Sequence, residues 1–182
     1  MPRLFTGLEI PEKLRDTLTA LRGGLPGARW IEPEDYHVTL SFVGDIDDDD
    51  ARELALALNQ VRRPPLSLRL EGLDAFGGRK PRAVVALVAA NPALMELQAE
   101  QERLIQRLGL PVENRKFTPH VTVARLRQAG PRDVADYLAG RVLLRTEPAE
   151  IPRFVLFSSR QSVGGGPYLV EVAYPFRTPE PR

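Results

Sequence analysis

One tetrapeptide pattern occurs twice in the chain and holds both of its histidines: His37-Val38-Thr39-Leu40 and His120-Val121-Thr122-Val123. Threonine fills only 8 of 182 positions, so finding it two places after each histidine by chance is roughly a 1 in 500 event. The copies stand 83 residues apart, close to half the chain length, which predicts two related halves with one copy each. On a strand, residues i and i+2 share a face. His37 and Thr39 therefore point together, as do His120 and Thr122, while Val38, Leu40, Val121 and Val123 turn to the core. If the halves pack about a pseudo-twofold axis, two imidazoles and two hydroxyls converge on a cleft between them.

The rest of the pattern supplies the frame. Leu4–Ile10 reads as a strand, and Pro11 opens a helix through Arg22 that Gly23-Gly24 stops. The His37–Gly44 segment is β-branched and aromatic, and a helix is expected over Ala51–Val61 before Pro64-Pro65. Leu66–Leu73 alternates with period two as one half-buried strand, and Ala83–Ala89 is continuously apolar, as a central strand is. Asn91-Pro92 starts a long helix to Leu108 with Leu94, Leu97, Gln101, Leu104 and Leu108 along its seam. Strands follow at Phe117–Ala124, Ile151–Ser158 and Tyr168–Tyr174, with a short helix over Pro131–Leu138. The last two strands are joined by a turn over Val163–Pro167. Strands and helices alternate without a regular βαβ rhythm, which predicts an α+β protein with mostly antiparallel sheets.

Composition removes several chemistries. The absence of cysteine excludes disulfides, thiolate nucleophiles and cysteine-ligated metal sites. Two histidines supply too few ligands for zinc, so no metal and no cofactor are expected. The net charge of +1 announces no strong global field, and the N-terminus lacks an apolar signal region, which predicts a cytoplasmic protein without a membrane segment. The chemistry that suits paired imidazoles and hydroxyls is acid–base cleavage of a phosphodiester, one histidine as base and its twin as acid. The hydroxyls can donate to nonbridging phosphate oxygens. Arg125, five residues past His120, and Arg115 and Lys116 ahead of it supply cations, whereas acidic residues follow the first motif.

In these motifs the chain resembles the two-histidine (2H) phosphoesterase superfamily, and more closely its RNA 2′,3′-cyclic phosphodiesterase branch, also called 2′-5′ RNA ligases. Arg3-Leu4-Phe5, the Trp30–Gly44 segment, Phe117–Arg125 and Gly166-Pro167-Tyr168 carry the resemblance. It implies one bilobal catalytic domain over residues 1–182, two pseudo-symmetric lobes of mostly antiparallel sheet flanked by helices around a central cleft. It also implies metal-independent hydrolysis of RNA 2′,3′-cyclic phosphate ends to 2′-phosphomonoesters, with reverse 2′-5′ ligation as an associated activity. By motif position His37 is the acid for the leaving 3′-oxygen and His120 the base for water. Thr39 and Thr122 hold the phosphate, Arg125 neutralises it, and Phe5 stacks on a base. The expected partners are RNA ends or nucleotides, and the expected state a monomer. Two alternatives stand beside this reading: a phosphodiesterase for a small cyclic phosphate such as ADP-ribose 1″,2″-cyclic phosphate, and an RNA-end-binding protein without turnover.

Other signals have plain structural explanations. Asp45-Ile46-Asp47-Asp48-Asp49-Asp50 suits a helix N-terminus. Gly164-Gly165-Gly166 suits a turn, and Arg62-Arg63 a helix C-terminus. Trp30 and Tyr168 fit either the core or the cleft.

Overall fold

A repeated order of elements follows from the sequence pattern. In a computed structural model that describes residues 3–159 and 167–178, the first half runs β1 (Arg3–Glu9), α1 (Glu12–Thr19), β2 (Ala28–Trp30) and β3 (His37–Asp45). It continues through α2 (Asp48–Leu58), β4 (Leu66–Leu68) and β5 (Leu70–Phe76). The second half runs β6 (Ala83–Val88), α3 (Pro92–Arg107), β7 (His120–Leu126), α4 (Pro131–Ala139), β8 (Ala149–Ile151) and β9 (Arg153–Ser159). Strand β10 (Leu169–Pro175) follows. Apart from β2 and β10, the halves match element for element: strand, helix, His-x-Thr strand, helix and two strands.

The main sheet has the order β10-β9-β1-β3-β7-β6-β5, with β2 on β7, and every pairing is antiparallel. The last strand of each half crosses over. β5 lies beside β6 of the second half, and β9 lies beside β1 of the first. The short strands β4 and β8 pair with each other in a second sheet. The two-lobed α+β expectation therefore holds, with the halves exchanging their final strands.

Several expected boundaries move. Leu66–Leu73 is two strands, because the chain leaves the small sheet at Arg69 and enters the large one at Leu70. Ile151–Ser158 likewise divides at Pro152, which has no N–H to give a ladder. Helix α1 ends at Thr19, and its tail continues in i→i−3 bonds from Leu21 and Arg22. Helix α2 starts at Asp48 instead of Ala51 because the Asp47 carboxylate accepts the Asp50 N–H at 2.8 Å, and it stops at Leu58. Asn91 caps α3 in the same way, accepting from Leu94 N–H at 3.1 Å. Strand β7 begins at His120 instead of Phe117, and the Val163–Pro167 turn with Gly164-Gly165-Gly166 falls largely outside the described residues.

The two motif strands meet at the pair Val38–Val121, the middle residues of the two motifs. Together with Leu8 and Ala86 these valines form a fully buried row across β1, β3, β7 and β6. By antiparallel sense, the next residues along set His37 opposite Thr122 and Thr39 opposite His120, on the other face. Burying the apolar row on one face thus presents all four polar side chains on the opposite one.

Each motif strand then carries a bulge at the same place. Against β1, register jumps from Thr39 to Ser41, leaving Leu40 as the extra residue. Against β6, it jumps from Thr122 to Ala124, leaving Val123 extra. A bulge reverses the alternation. Leu40 and Ser41 are consecutively buried, as are Val123 and Ala124, and Phe42 and Arg125 return to the polar face. The β3 bulge has a buried support. Thr6 Oγ1 accepts from the Ser41 N–H at 3.1 Å and donates to Gln101 Oε1 at 2.6 Å, which explains a glutamine on the apolar seam of α3. Gly7, opposite Thr39, has no room for a side chain: a Cβ there would lie 2.7 Å from the Val38 carbonyl oxygen.

Candidate active site

The polar face of the two motif strands floors a cavity of about 480 Å³, lined among others by His37, Thr39, His120, Thr122 and Arg125. This is within the usual range for a small-ligand site, about 300–1,000 Å³. The two imidazoles are held alike. His37 Nδ1 lies 2.8 Å from the carbonyl of Asp35, and His120 Nδ1 lies 2.6 Å from the carbonyl of Thr118. A carbonyl only accepts, so each Nδ1 carries the hydrogen and each neutral ring keeps its lone pair on Nε2. The rings also have matching aromatic neighbours. Tyr168 meets His37 edge-on at 4.8 Å, and Phe76 meets His120 edge-on at 4.7 Å.

The Nε2 atoms differ. That of His37 accepts the Thr39 hydroxyl at 3.0 Å, whereas that of His120 has no partner among the described residues. Burial disfavours the charged ring at both positions. It lowers His37 to about 4, against the opposing pull of the Asp35 carbonyl and with help from Arg125 and His120. It also lowers His120, again against a carbonyl bond, with Arg125 reinforcing. Both rings are therefore neutral at neutral pH before substrate enters. The Asp35 carboxyl is pushed up by desolvation, partly offset by the Tyr168 N–H that its Oδ1 accepts at 3.3 Å. Asp35 thereby joins the His37 strand to the start of β10.

The remaining expected site residues divide. Arg115 and Lys116, in the loop before β7, are exposed and line the cavity. Phe5 does not line it. It is 5% exposed and packs behind His37 at 5.2 Å between Phe157 and Tyr168, so it supports the imidazole ring and offers no face to a base. Tyr168 lines the cavity, while Trp30 packs on Tyr137 at 5.8 Å away from it.

Sequence reasoning missed Phe42, Phe76, Arg82 and Asp35, all of which line the cavity. For Phe42 a signal existed: it stands five residues after His37, as Arg125 does after His120. Asp35 could have been suspected only as the residue two before a histidine. Phe76 and Arg82 arrive from the β5–β6 hairpin and have no local mark. Among the described residues no three His, Cys, Asp or Glu side chains are grouped as a metal would need, and no helix is long and apolar enough to cross a membrane.

Comparison with known proteins finds the LigT-like phosphoesterase family matched twice, over residues 8–86 and 87–168, one match for each half. A Bacillus subtilis protein named RNA 2′,3′-cyclic phosphodiesterase is 31% identical over 130 residues, covering 68% of this chain and 71% of that protein. A Geobacillus stearothermophilus protein of the same name is 38% identical over 128 residues, covering 66% of this chain and 41% of its own length. In fold, a Thermus thermophilus protein superposes with a TM-score of 0.81 at 23% identity over 98% of this chain and 100% of the other. Escherichia coli LigT, solved with 3′-AMP, gives 0.78 at 22% identity, over 97% and 99% of the two chains.

Proposed function

This chain belongs to the LigT-like phosphoesterase family, and we propose that it is an RNA 2′,3′-cyclic phosphodiesterase that opens the cyclic phosphate at an RNA 3′ end to leave a 2′-phosphomonoester. The observation that carries this reading is the pair of equivalent imidazoles, each fixed through Nδ1 by a carbonyl two residues earlier, over one cavity with two threonines and Arg125.

His120 is the base. Its Nε2 lone pair has no protein partner among the described residues and its ring is neutral, so it can take a proton from water as the water oxygen attacks phosphorus. The phosphorus–O3′ bond breaks on the opposite side, and O3′ receives the proton of His37 Nε2. One water is consumed, and a 3′-hydroxyl and a 2′-phosphate result. The Tyr168 ring stands edge-on beside His37, which suits the nucleoside side of the leaving oxygen.

The acid must first gain its proton. At about 4, His37 holds it in roughly one molecule in 10³ at neutral pH before substrate binds. An anionic phosphodiester beside the ring favours the imidazolium. Once Nε2 is protonated it no longer accepts from Thr39, and that hydroxyl is released to donate to a nonbridging phosphate oxygen. Thr122 does the same from the other half, and Arg125 offsets the growing charge.

The test is incubation with a 2′,3′-cyclic-phosphate-ended oligonucleotide, with and without chelator, and identification of the product isomer. A 2′-phosphate formed equally in both arms is expected. A 3′-phosphate, or activity that chelator abolishes and zinc or manganese restores, refutes the mechanism. Parallel turnover of a cyclic mononucleotide and of ADP-ribose 1″,2″-cyclic phosphate separates the small-substrate alternative, and binding without product identifies an RNA-end-binding protein.

A further inference from the structure

The cavity is lopsided in a way that a single reacting phosphate does not require. Arg125, two hydroxyls and two imidazoles already surround the centre. Arg82, Arg115 and Lys116 also line the cavity, and all are exposed. None makes an ion pair among the described residues, although Arg3, Arg22, Arg52, Arg63, Arg69 and Arg153 all do. Glu113, two residues before Arg115, is the acid on this wall. Glu102 lies on α3, which packs against β3.

Arg82 is held firmly. Its N–H donates to the Phe76 carbonyl at 2.7 Å and its carbonyl accepts from the Leu126 N–H at 2.8 Å. Its neighbour Ala83 is the register partner of Arg125, so the two arginines stem from adjacent strands. The hairpin closing onto Arg82 has a tight tip: Gly77 has φ +115°, and a Cβ there would meet the Lys80 carbonyl oxygen at 2.3 Å and the Arg82 nitrogen at 2.8 Å. That tip carries Arg79 and Lys80, both exposed and without ion pairs among the described residues. A basic strip therefore leads from the His120 side of the cavity over the β5–β6 hairpin. Cations gathered in excess of the nearby Glu113 repel one another, and a polyanion relieves the repulsion.

We propose that Arg82, with Arg115 and Lys116, forms a subsite for a second backbone phosphate of RNA, outside the centre that holds the cyclic phosphate. This rests on the phosphodiesterase reading above. The second phosphate has two sources with the same chemistry. It belongs either to the strand bearing the cyclic end or to an incoming strand whose 5′-hydroxyl takes the place of the attacking water beside His120.

The test compares the full-length protein with Arg82→Gln, and with Arg52→Gln as a charge control on the exposed face of α2. Three measurements are made: KM for a 2′,3′-cyclic mononucleotide, KM for a trinucleotide with a cyclic end, and salt-dependent binding of a 2′-phosphate-ended trinucleotide. If the phosphate is on the same strand, Arg82→Gln raises KM and Kd for the trinucleotide about 5–10-fold and lowers the salt slope by about one, leaving the mononucleotide unchanged. If it is on the incoming strand, those values hold and joining of a 5′-hydroxyl oligonucleotide to the cyclic mononucleotide weakens instead. Either outcome supports the subsite. Equal losses for mononucleotide and trinucleotide, losses matched by Arg52→Gln, or no change in any assay overturn it. The binding arm needs no turnover, so a wild-type protein that bound RNA through Arg82 but hydrolysed nothing would refute the phosphodiesterase reading and leave the subsite standing.

Discussion

Burial of His37 predicts a stability cost on acidification. Its folded value of about 4 lies below the ordinary histidine value of 6.5, so the unfolded chain takes up this proton first. Stability linked to His37 is flat above that ordinary value, falls as pH drops through the window down to about 4, and is flat again below. Each unit of separation corresponds to about 1.4 kcal/mol, which gives a loss of up to about 2 kcal/mol at pH 5 and about 3 kcal/mol at pH 4. Water in the open cavity makes these upper values. The perturbation is His37→Gln, which removes the titration while His120 and Asp35 titrate in both proteins. Urea denaturation at pH 7, 5 and 4 can be followed by the fluorescence of Trp30, the single tryptophan, which ends β2 and packs on Tyr137. The gap between wild type and variant at pH 7 reports packing alone. Its change with pH reports the proton, and the wild type should lose about 1–3 kcal/mol more than the variant on going to pH 4. Parallel pH dependences would refute the depressed imidazole, and with it the argument that the acid acquires its proton only beside bound phosphate.

Three other outcomes are expected. Because both imidazoles are lowered, the singly protonated pair is most populated below pH 6.5, so kcat/KM should peak on the acid side of that value and fall as pH rises, with apparent values that belong to the coupled pair. Alanine at His37 or His120 should each cost about 10²–10⁴-fold on a cyclic phosphate, but on an activated aryl phosphodiester, where such a substrate is accepted, His37→Ala should lose far less than His120→Ala; equal losses would make both rings phosphate anchors. Thr6→Val, which leaves the buried Ser41 N–H without its acceptor, should destabilise the fold by about 1–3 kcal/mol in a thermal melt, and an unchanged melting temperature would show that the β3 bulge does not depend on that hydroxyl.

The sequence by itself determined the features that depend on near neighbours. Alternation puts His37 with Thr39 and His120 with Thr122, and the apolar valines between them force those faces away from the core. Their spacing shows that the motif is doubled, and the family profile then matched each half separately. Capping by Asp47 and Asn91 is equally local, since the side chain meets an N–H three residues on.

Only the tertiary structure decided what depends on a partner strand. Leu66, Leu68 and Leu70 keep one alternation, yet the segment serves two sheets, because β8 claims its first part and β6 its second. Phe5 lies at the start of a strand leading toward His37, and it is the packing of Phe157 and Tyr168 that puts it behind the ring and out of the cavity. Phe76 reaches His120, and Arg82 reaches the cavity, through a hairpin whose pairing no local pattern encodes. Phe42 and Arg125 sit at positions that simple alternation would turn inward. They face the cavity because β1 and β6 each oppose their motif strand with one residue fewer, and a bulge is a mismatch between two strands that neither strand contains alone.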